Sequence, residues 1–292
     1  MSFPASAIES GLQGRLAELV AAGSLEISPR ELHRVGEVAA LLPAGTCVYI
    51  PSLPGLPLAR TLETVAAIRK AGLDPVPHVS ARRVRDRDEF RDFLRRASSE
   101  HGMHRCLLLG GDEPRPLGPY SDSVQILEEG LLAECAVREI GVAGYPEGHP
   151  RISLNALEKA FERKLALARE QGIGVYVVTQ FSFAPARVVE YCAMLARLAP
   201  AASIYVGVAG PTDPAALLRY AQRCGVSVSL RALRNLGSGI ARLVINTEPR
   251  EQLVSVARYS LTREPSNVVG VHLYSFGGAV RTASWMRQLI AA

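Results

Sequence analysis

The stretch Ile140-Gly141-Val142-Ala143-Gly144-Tyr145, followed by Leu157, Phe161, Leu165 and Ala168 and then by Val175-Tyr176-Val177-Val178-Thr179-Gln180, decides the fold. Its two ends are short, apolar runs too brief for buried helices, and its middle repeats apolar residues every three or four positions, the period of an amphipathic helix. Two strands joined by a helix lie parallel and cross over right-handed. The same alternation continues outward. Further strand-like runs stand at Ser24–Ser28, Thr46–Pro51, Val76–Ser80, Arg105–Gly110, Ser203–Ala209 and Val268–Ser275, with Ile140–Tyr145 and Val175–Gln180 making eight. Helical spacing recurs between them, as in Leu62-Val65-Ala66-Ile68-Arg69 and Phe90-Phe93-Leu94. Eight such units predict an α/β chain closed into a (β/α)8 TIM barrel, with an extra N-terminal helix at Ala5–Val20. Ala215–Asn246 is long enough to hold two helices before the last strand. Without a linker or repeat to divide it, the chain reads as a single domain over residues 1–292.

Composition agrees with a folded enzyme-sized domain. Hydrophobic residues make up 48% and charged residues 21%, which excludes a disordered or fibrous chain. No apolar run is long enough to cross a membrane, and the N-terminus, with Glu9 and no basic start, lacks the layout of a signal peptide. A cytoplasmic protein with no membrane association is expected. Five scattered cysteines, Cys47, Cys106, Cys135, Cys192 and Cys224, form no CxxC pair and read as reduced, buried thiols. The net charge of +5 permits an acidic partner, but basic residues alternate with acids in Arg82-Arg83-Val84-Arg85-Asp86-Arg87-Asp88-Glu89, which reads as a solvated helix face. No nucleic-acid-binding motif accompanies it, so no nucleic acid is expected as partner.

In a (β/α)8 barrel the residues that end each strand carry the chemistry. Here these are Glu26, Pro51 and Ser52, His78, Gly111-Asp112, Tyr145 to His149, Gln180-Phe181, Gly207 and His272 to Tyr274. Glu26 after the first strand and Asp112 after the fourth give two carboxylates at one mouth, suited either to proton donation and cation stabilisation or to plain solvation of the rim. Gly110-Gly111 lets backbone N–H groups approach a ligand or simply makes a turn. His78 and His149 lack partners at metal-ligand spacing, so no metal is expected. A nucleophile elbow of the GxSxG kind is absent.

Gly141-Val142-Ala143-Gly144-Tyr145-Pro146-Glu147-Gly148-His149-Pro150, Lys164 and Val178-Thr179-Gln180-Phe181-Ser182-Phe183 together resemble the central signature of the methylenetetrahydrofolate reductase family. The resemblance continues in Leu25-Glu26-Ile27-Ser28-Pro29, Arg60-Thr61, Pro77-His78-Val79-Ser80, Leu109-Gly110-Gly111-Asp112 and His272-Leu273-Tyr274-Ser275. It implies a barrel that holds FAD and takes NADH or NADPH as reductant, reducing 5,10-methylenetetrahydrofolate to 5-methyltetrahydrofolate in one-carbon metabolism. On this resemblance Glu26 is the general acid that also meets the folate, and Asp112 lies near flavin and pterin. Gln180 and Tyr274 bind substrate, while Thr61, His78, Gly111, Asp112, Tyr120, Ala143, Tyr145, His149 and Lys164 contact FAD. Gly110 stands where the family carries an arginine, and Leu157 about where it carries an aspartate. Three alternatives therefore stay open: a flavin-free reductase, a C1-pathway enzyme running in the oxidative direction, and a folate-binding barrel without catalysis. The small-molecule partner is a folate in each. A homo-oligomer stays open too.

Overall fold

A computed structural model describes residues 5–213, 217, 220, 221, 226, 250–262 and 266–291. Eight parallel strands, β1 (Ser24–Glu26), β2 (Cys47–Ile50), β3 (Asp74–Ser80), β4 (Arg105–Leu109), β5 (Glu139–Gly144), β6 (Gly174–Thr179), β7 (Ser203–Ala209) and β8 (Val268–Tyr274), hydrogen-bond in sequence order, and the order closes on itself. The helices delimited among the described residues are α1 (Ala5–Ala21), α2 (Val35–Ala39), α3 (Leu58–Lys70), α4 (Arg87–Ser99), α5 (Ser123–Glu128), α6 (Leu131–Glu134) and α7 (Leu154–Glu170), then α8 (Pro185–Leu198), α9 (Arg250–Thr262) and α10 (Ala279–Ile290). This is the (β/α)8 barrel with its extra N-terminal helix. The two helices anticipated in Ala215–Asn246 fall almost wholly outside the described residues, as does Cys224.

Most strands differ from the sequence reading by one or two residues at an end, and β1 and β3 do so for a local reason. β1 stops at Glu26 because Ser28 caps a 3-10 helix (Pro29–Arg34): its hydroxyl accepts from the Arg30 N–H, and Glu31 accepts from the Ser28 N–H. β3 starts earlier than expected, at Asp74, and contains Pro75 and Pro77. Asp74 donates its N–H to Thr46, so along the strand the even-numbered amides face β2 and the positions of the two prolines face β4. Pairing with β4 begins only at His78, past the last proline, so no ladder bond is lost.

The charged run Arg82–Glu89 is not one solvated helix face. Ala81–Arg83 is a 3-10 helix, and α4 begins only at Arg87, where the Asp86 carboxylate caps it by accepting from the Asp88 and Glu89 amides. From there the apolar positions Phe90, Phe93, Leu94 and Ala97 are buried on one face of the helix.

The chain forms two compact units, one of Met1–Leu25, Gly144–Pro150 and Val178–Ala292, the other of Glu26–Ala143 and Arg151–Val177. In the second, Tyr49 and Tyr176 are buried and joined hydroxyl to hydroxyl at 3.2 Å. In the first, Gly207 lets β7 approach β6 so closely that a methyl group there would overlap the Thr179 carbonyl oxygen, while its own N–H donates to the Thr179 hydroxyl at 2.8 Å. Cys106, Cys135 and Cys192 are buried free thiols and Cys47 is half-buried and free; burial pushes Cys106 and Cys192 up to about 12. Among the described residues no helix is long and apolar enough to cross a membrane.

Candidate active site

Within the second unit, the ends of β1 and β3 bring Glu26 and His78 together. His78 Nε2 lies 3.8 Å from Glu26 Oε1, both side chains are largely buried, and the Tyr49 ring meets the imidazole edge-on at 5.9 Å. A carboxylate and an imidazole so placed can hold and pass a proton. Thr61 is buried in the first turns of α3, and Ala143 is half-buried near the end of β5.

Asp112 stands apart from that pair. Its side chain is 80% exposed, and its partner is the exposed Arg151, 3.5 Å away. The preceding Gly111 adopts φ +96°, a conformation that favours glycine, and this turns the chain out of β4. The loop that follows is tied down by two arginines. Arg82 donates to the carbonyls of Glu113, Pro114 and Ser121, and Arg83 pairs with Glu113 at 2.7 Å and donates to the Ser52 carbonyl. Gly118 packs so tightly on the Val84 and Arg85 carbonyls that no side chain fits there. Tyr120, at the end of this loop, is buried and donates its hydroxyl to Glu129 at 2.6 Å, so its polar atom is turned to the protein itself.

On α7, Lys164 is half-buried. Burial pulls its amine down to about 8, and the charge of Asp122 opposes the shift. Asp122 is itself occupied in capping α5. Leu157, one turn into the same helix, is half-buried and offers no polar atom.

In the first unit the loops after β5, β6 and β8 carry the remaining positions. Tyr145 and His149 meet edge to face at 5.1 Å. Gln180 donates its N–H to Gly144, and its side-chain carbonyl accepts from the Phe181 N–H at 3.1 Å. Tyr274 donates its hydroxyl to the Thr179 carbonyl, and Phe276 stacks between Tyr274 and Tyr220 with centroids at 6.1 and 4.6 Å. Phe276 holds φ +50°, a left-handed conformation a bulky residue rarely takes. His272 is fully buried, with its Nδ1 2.9 Å from the Ser24 hydroxyl.

From sequence, Arg82 and Arg83 stand in a charged helix face, Glu147 among the strand-end residues and Ser182 in the central signature, with no site-shaping role assigned to them or to Phe276. Only the double glycine after Phe276 and the glutamate inside the central signature gave a local signal. Among the described residues no group of three His, Cys, Asp or Glu side chains could hold a metal ion.

The model of the methylenetetrahydrofolate reductase family matches residues 55–274, well over half of the sequence. The chain belongs to that family. The matched span takes in β3 to β8 and leaves β1, with Glu26, outside it. Among solved structures, an uncharacterized protein from Clostridium thermocellum that binds two copies of 5-methyl-5,6,7,8-tetrahydrofolic acid is similar at 12% identity and TM-score 0.57, covering 97% of this chain and 99% of its own. Dihydropteroate synthase from Thermus thermophilus follows at 15% identity and TM-score 0.44, covering 92% of each chain. At 12% identity the first of these likenesses speaks to the fold alone. The activity that this methylenetetrahydrofolate reductase family member performs rests on its own residues.

Proposed function

We propose that this protein is an oxidoreductase that reduces 5,10-methylenetetrahydrofolate to 5-methyltetrahydrofolate with NADH or NADPH. The observation that carries the reading is the buried Glu26–His78 pair at the strand ends of a chain in the methylenetetrahydrofolate reductase family. The folate bound by the Clostridium thermocellum protein is the product of that reaction, which supports the substrate class.

The chemistry asks for one proton and one hydride. Protonation of the folate's N10 opens the five-membered ring and leaves a 5-iminium cation; hydride delivered to its exocyclic carbon gives the methyl group, and the nicotinamide leaves oxidised. Glu26, partly shielded from water, holds the proton and delivers it to N10, and His78 beside it resupplies it only after hydride transfer. The carboxylate left behind then stabilises the cation. Gln180 hydrogen-bonds the pterin and Tyr274 flanks it. The same reading makes the protein a single-domain cytoplasmic enzyme with a folate as its small-molecule partner.

FAD fits this chain at Lys164. A half-buried amine whose charge is opposed by desolvation and relieved by one carboxylate calls for an anion, and the flavin's diphosphate supplies it. On the family resemblance Lys164 and His149 would take the phosphates and ribityl chain, and Thr61, His78, Gly111, Asp112, Tyr120, Ala143 and Tyr145 would be the further FAD contacts. When bound, the flavin relays hydride between nicotinamide and folate. A second reading, direct hydride transfer from nicotinamide to folate, is favoured by the loop after β4. Gly110 offers no guanidinium, and Arg82 and Arg83 are already committed to carbonyls and Glu113.

The test is the visible absorbance of the purified protein with and without added FAD, beside a folate-dependent NADH oxidation assay. Flavin absorbance with turnover supports the flavoenzyme. Turnover without flavin supports direct transfer, and folate binding without turnover with either nucleotide overturns the enzymatic reading.

A further inference from the structure

The central signature places Glu147 between two positions tied to the cofactor, yet nothing in the proposed chemistry uses it. It sits in the tight turn that leaves β5, closed by the Gly148 N–H donating to the Tyr145 carbonyl at 3.0 Å. Its Oε1 accepts the hydroxyl proton of Ser182, in the loop after β6, at 2.6 Å. The same Ser182 oxygen accepts from the Ala184 N–H at 2.9 Å, just ahead of α8, and the residue is 1% exposed. A short hydrogen bond from a buried hydroxyl to a carboxylate is among the stronger ties a loop can have. Breaking it on one side removes one charge-assisted hydrogen bond from the loop.

What this tie holds is the run Gln180-Phe181. Gln180 is anchored on one side by its N–H to the Gly144 carbonyl, at 2.7 Å, and on the other by Ser182 two residues on. Between these anchors the Phe181 N–H points at the Gln180 side-chain carbonyl. That bond fixes the amide's sense: its oxygen is turned to the backbone, and its nitrogen keeps two N–H groups for a ligand. A glutamine amide in general offers donor and acceptor together, whereas the structure here gives a directed donor. A ligand that meets it must present lone pairs, as ring nitrogens and the carbonyl oxygen of a pterin do.

We infer that Glu147, acting through Ser182, is the positioning residue that holds Gln180 as a hydrogen-bond donor to the folate. The inference rests on the proposed function for its ligand, and its own content is the coupling of Glu147 and Ser182 to Gln180.

The experiment measures binding of 5-methyltetrahydrofolate and of NADH to the full chain by isothermal titration, with thermal melts alongside. The variants are Ser182→Ala, Glu147→Ala, Glu147→Gln and Gln180→Glu. Ser182→Ala and Glu147→Ala are expected to weaken folate binding about tenfold, in line with the loss of one hydrogen bond to a charged group. NADH binding should stay within about twofold of wild type under those changes, since they act on the folate contact alone. Glu147→Gln keeps an acceptor for Ser182 and restores folate binding to within about threefold. Gln180→Glu, which replaces donors by acceptors, abolishes it. Folate binding unchanged in Ser182→Ala while Gln180→Glu abolishes it overturns the coupling and leaves the proposed function standing. Parallel losses of folate and NADH binding with a lowered melting temperature overturn it too, by showing a tie that only stabilises the loops. A wild-type protein that binds no folate overturns the proposed function itself.

Discussion

At the scale of single residues, the roles proposed for Glu26 and Lys164 can be checked most directly. Glu26→Gln keeps the size and hydrogen-bonding reach of the side chain and removes its proton. Turnover of methylenetetrahydrofolate should fall by roughly a hundredfold or more, as for loss of a general acid, with folate affinity nearly unchanged. Steady-state kinetics beside equilibrium binding separate the two, and turnover near wild type would remove Glu26 from the mechanism. Lys164 makes a prediction in pH. Its folded-state pKa is pulled down to about 8 from an ordinary value of 10.5, so between those limits the unfolded chain holds a proton the native chain lacks. Stability therefore rises with pH through that window, the penalty of burying the ammonium being complete below about 8. Binding of an anion runs the other way, since it needs the charged amine and weakens as pH climbs past about 8. Lys164→Met should flatten both profiles, raise the melting temperature at neutral pH and weaken FAD. Melts and FAD titrations at pH 7 and pH 9.5 check it, and parallel profiles in the variant and wild type would sink the assignment.

Among the elements, packing inside the strands decides what each position tolerates. A methyl group at Gly141, on β5, would lie 2.7 Å from Tyr176 Cε2 and 2.8 Å from Leu107 Cδ1. Tyr176 cannot swing away easily, because its hydroxyl is bonded to Tyr49. Gly141→Ala should cost about 1–3 kcal/mol in urea denaturation, the usual range for an overpacked core. Pairing it with Tyr176→Leu should recover part of that loss, and additive effects would show that the two side chains do not meet. These same elements show how far the sequence could be read. All eight strands were legible because each is an apolar run bounded by polar or turn residues, and even β3 was found from Val76 onward. Its first two residues were not, since proline argues against a strand until the pairing partner is known. The loop after β4 was illegible for a different reason. Arg82 is held to carbonyls some thirty residues away in sequence, and Ser182 reaches Glu147 across a similar separation. No local pattern encodes such contacts. Hence the charged run Arg82–Glu89 read as a solvated face, and the exposure of Asp112 beside Arg151 is not written in its motif.

For the whole molecule the two proposed hydride routes call for different ligands, and stability can decide between them without any turnover. A ligand that binds only the folded chain raises the unfolding free energy by RT ln(1 + [L]/Kd), about 2.7 kcal/mol at a hundred times Kd. For domains of roughly 150–250 residues each kcal/mol moves the melting temperature by about 2–4 °C, and a chain of 292 residues sits at or just below the lower end of that range. If FAD is the resident cofactor, saturating FAD should lift the melting temperature by several degrees, and NADH added afterwards should add to it. If hydride passes directly, NADH and 5-methyltetrahydrofolate should each raise the melting temperature while FAD leaves it where it was. Restoring a cation with Gly110→Arg sharpens the contrast. In the first case the new guanidinium has a diphosphate to meet, and the FAD-induced shift grows. In the second there is no anion for it, and the variant melts with the same indifference to FAD as the parent chain. A shift with FAD that Lys164→Met leaves intact would place the flavin somewhere other than the site built around that amine.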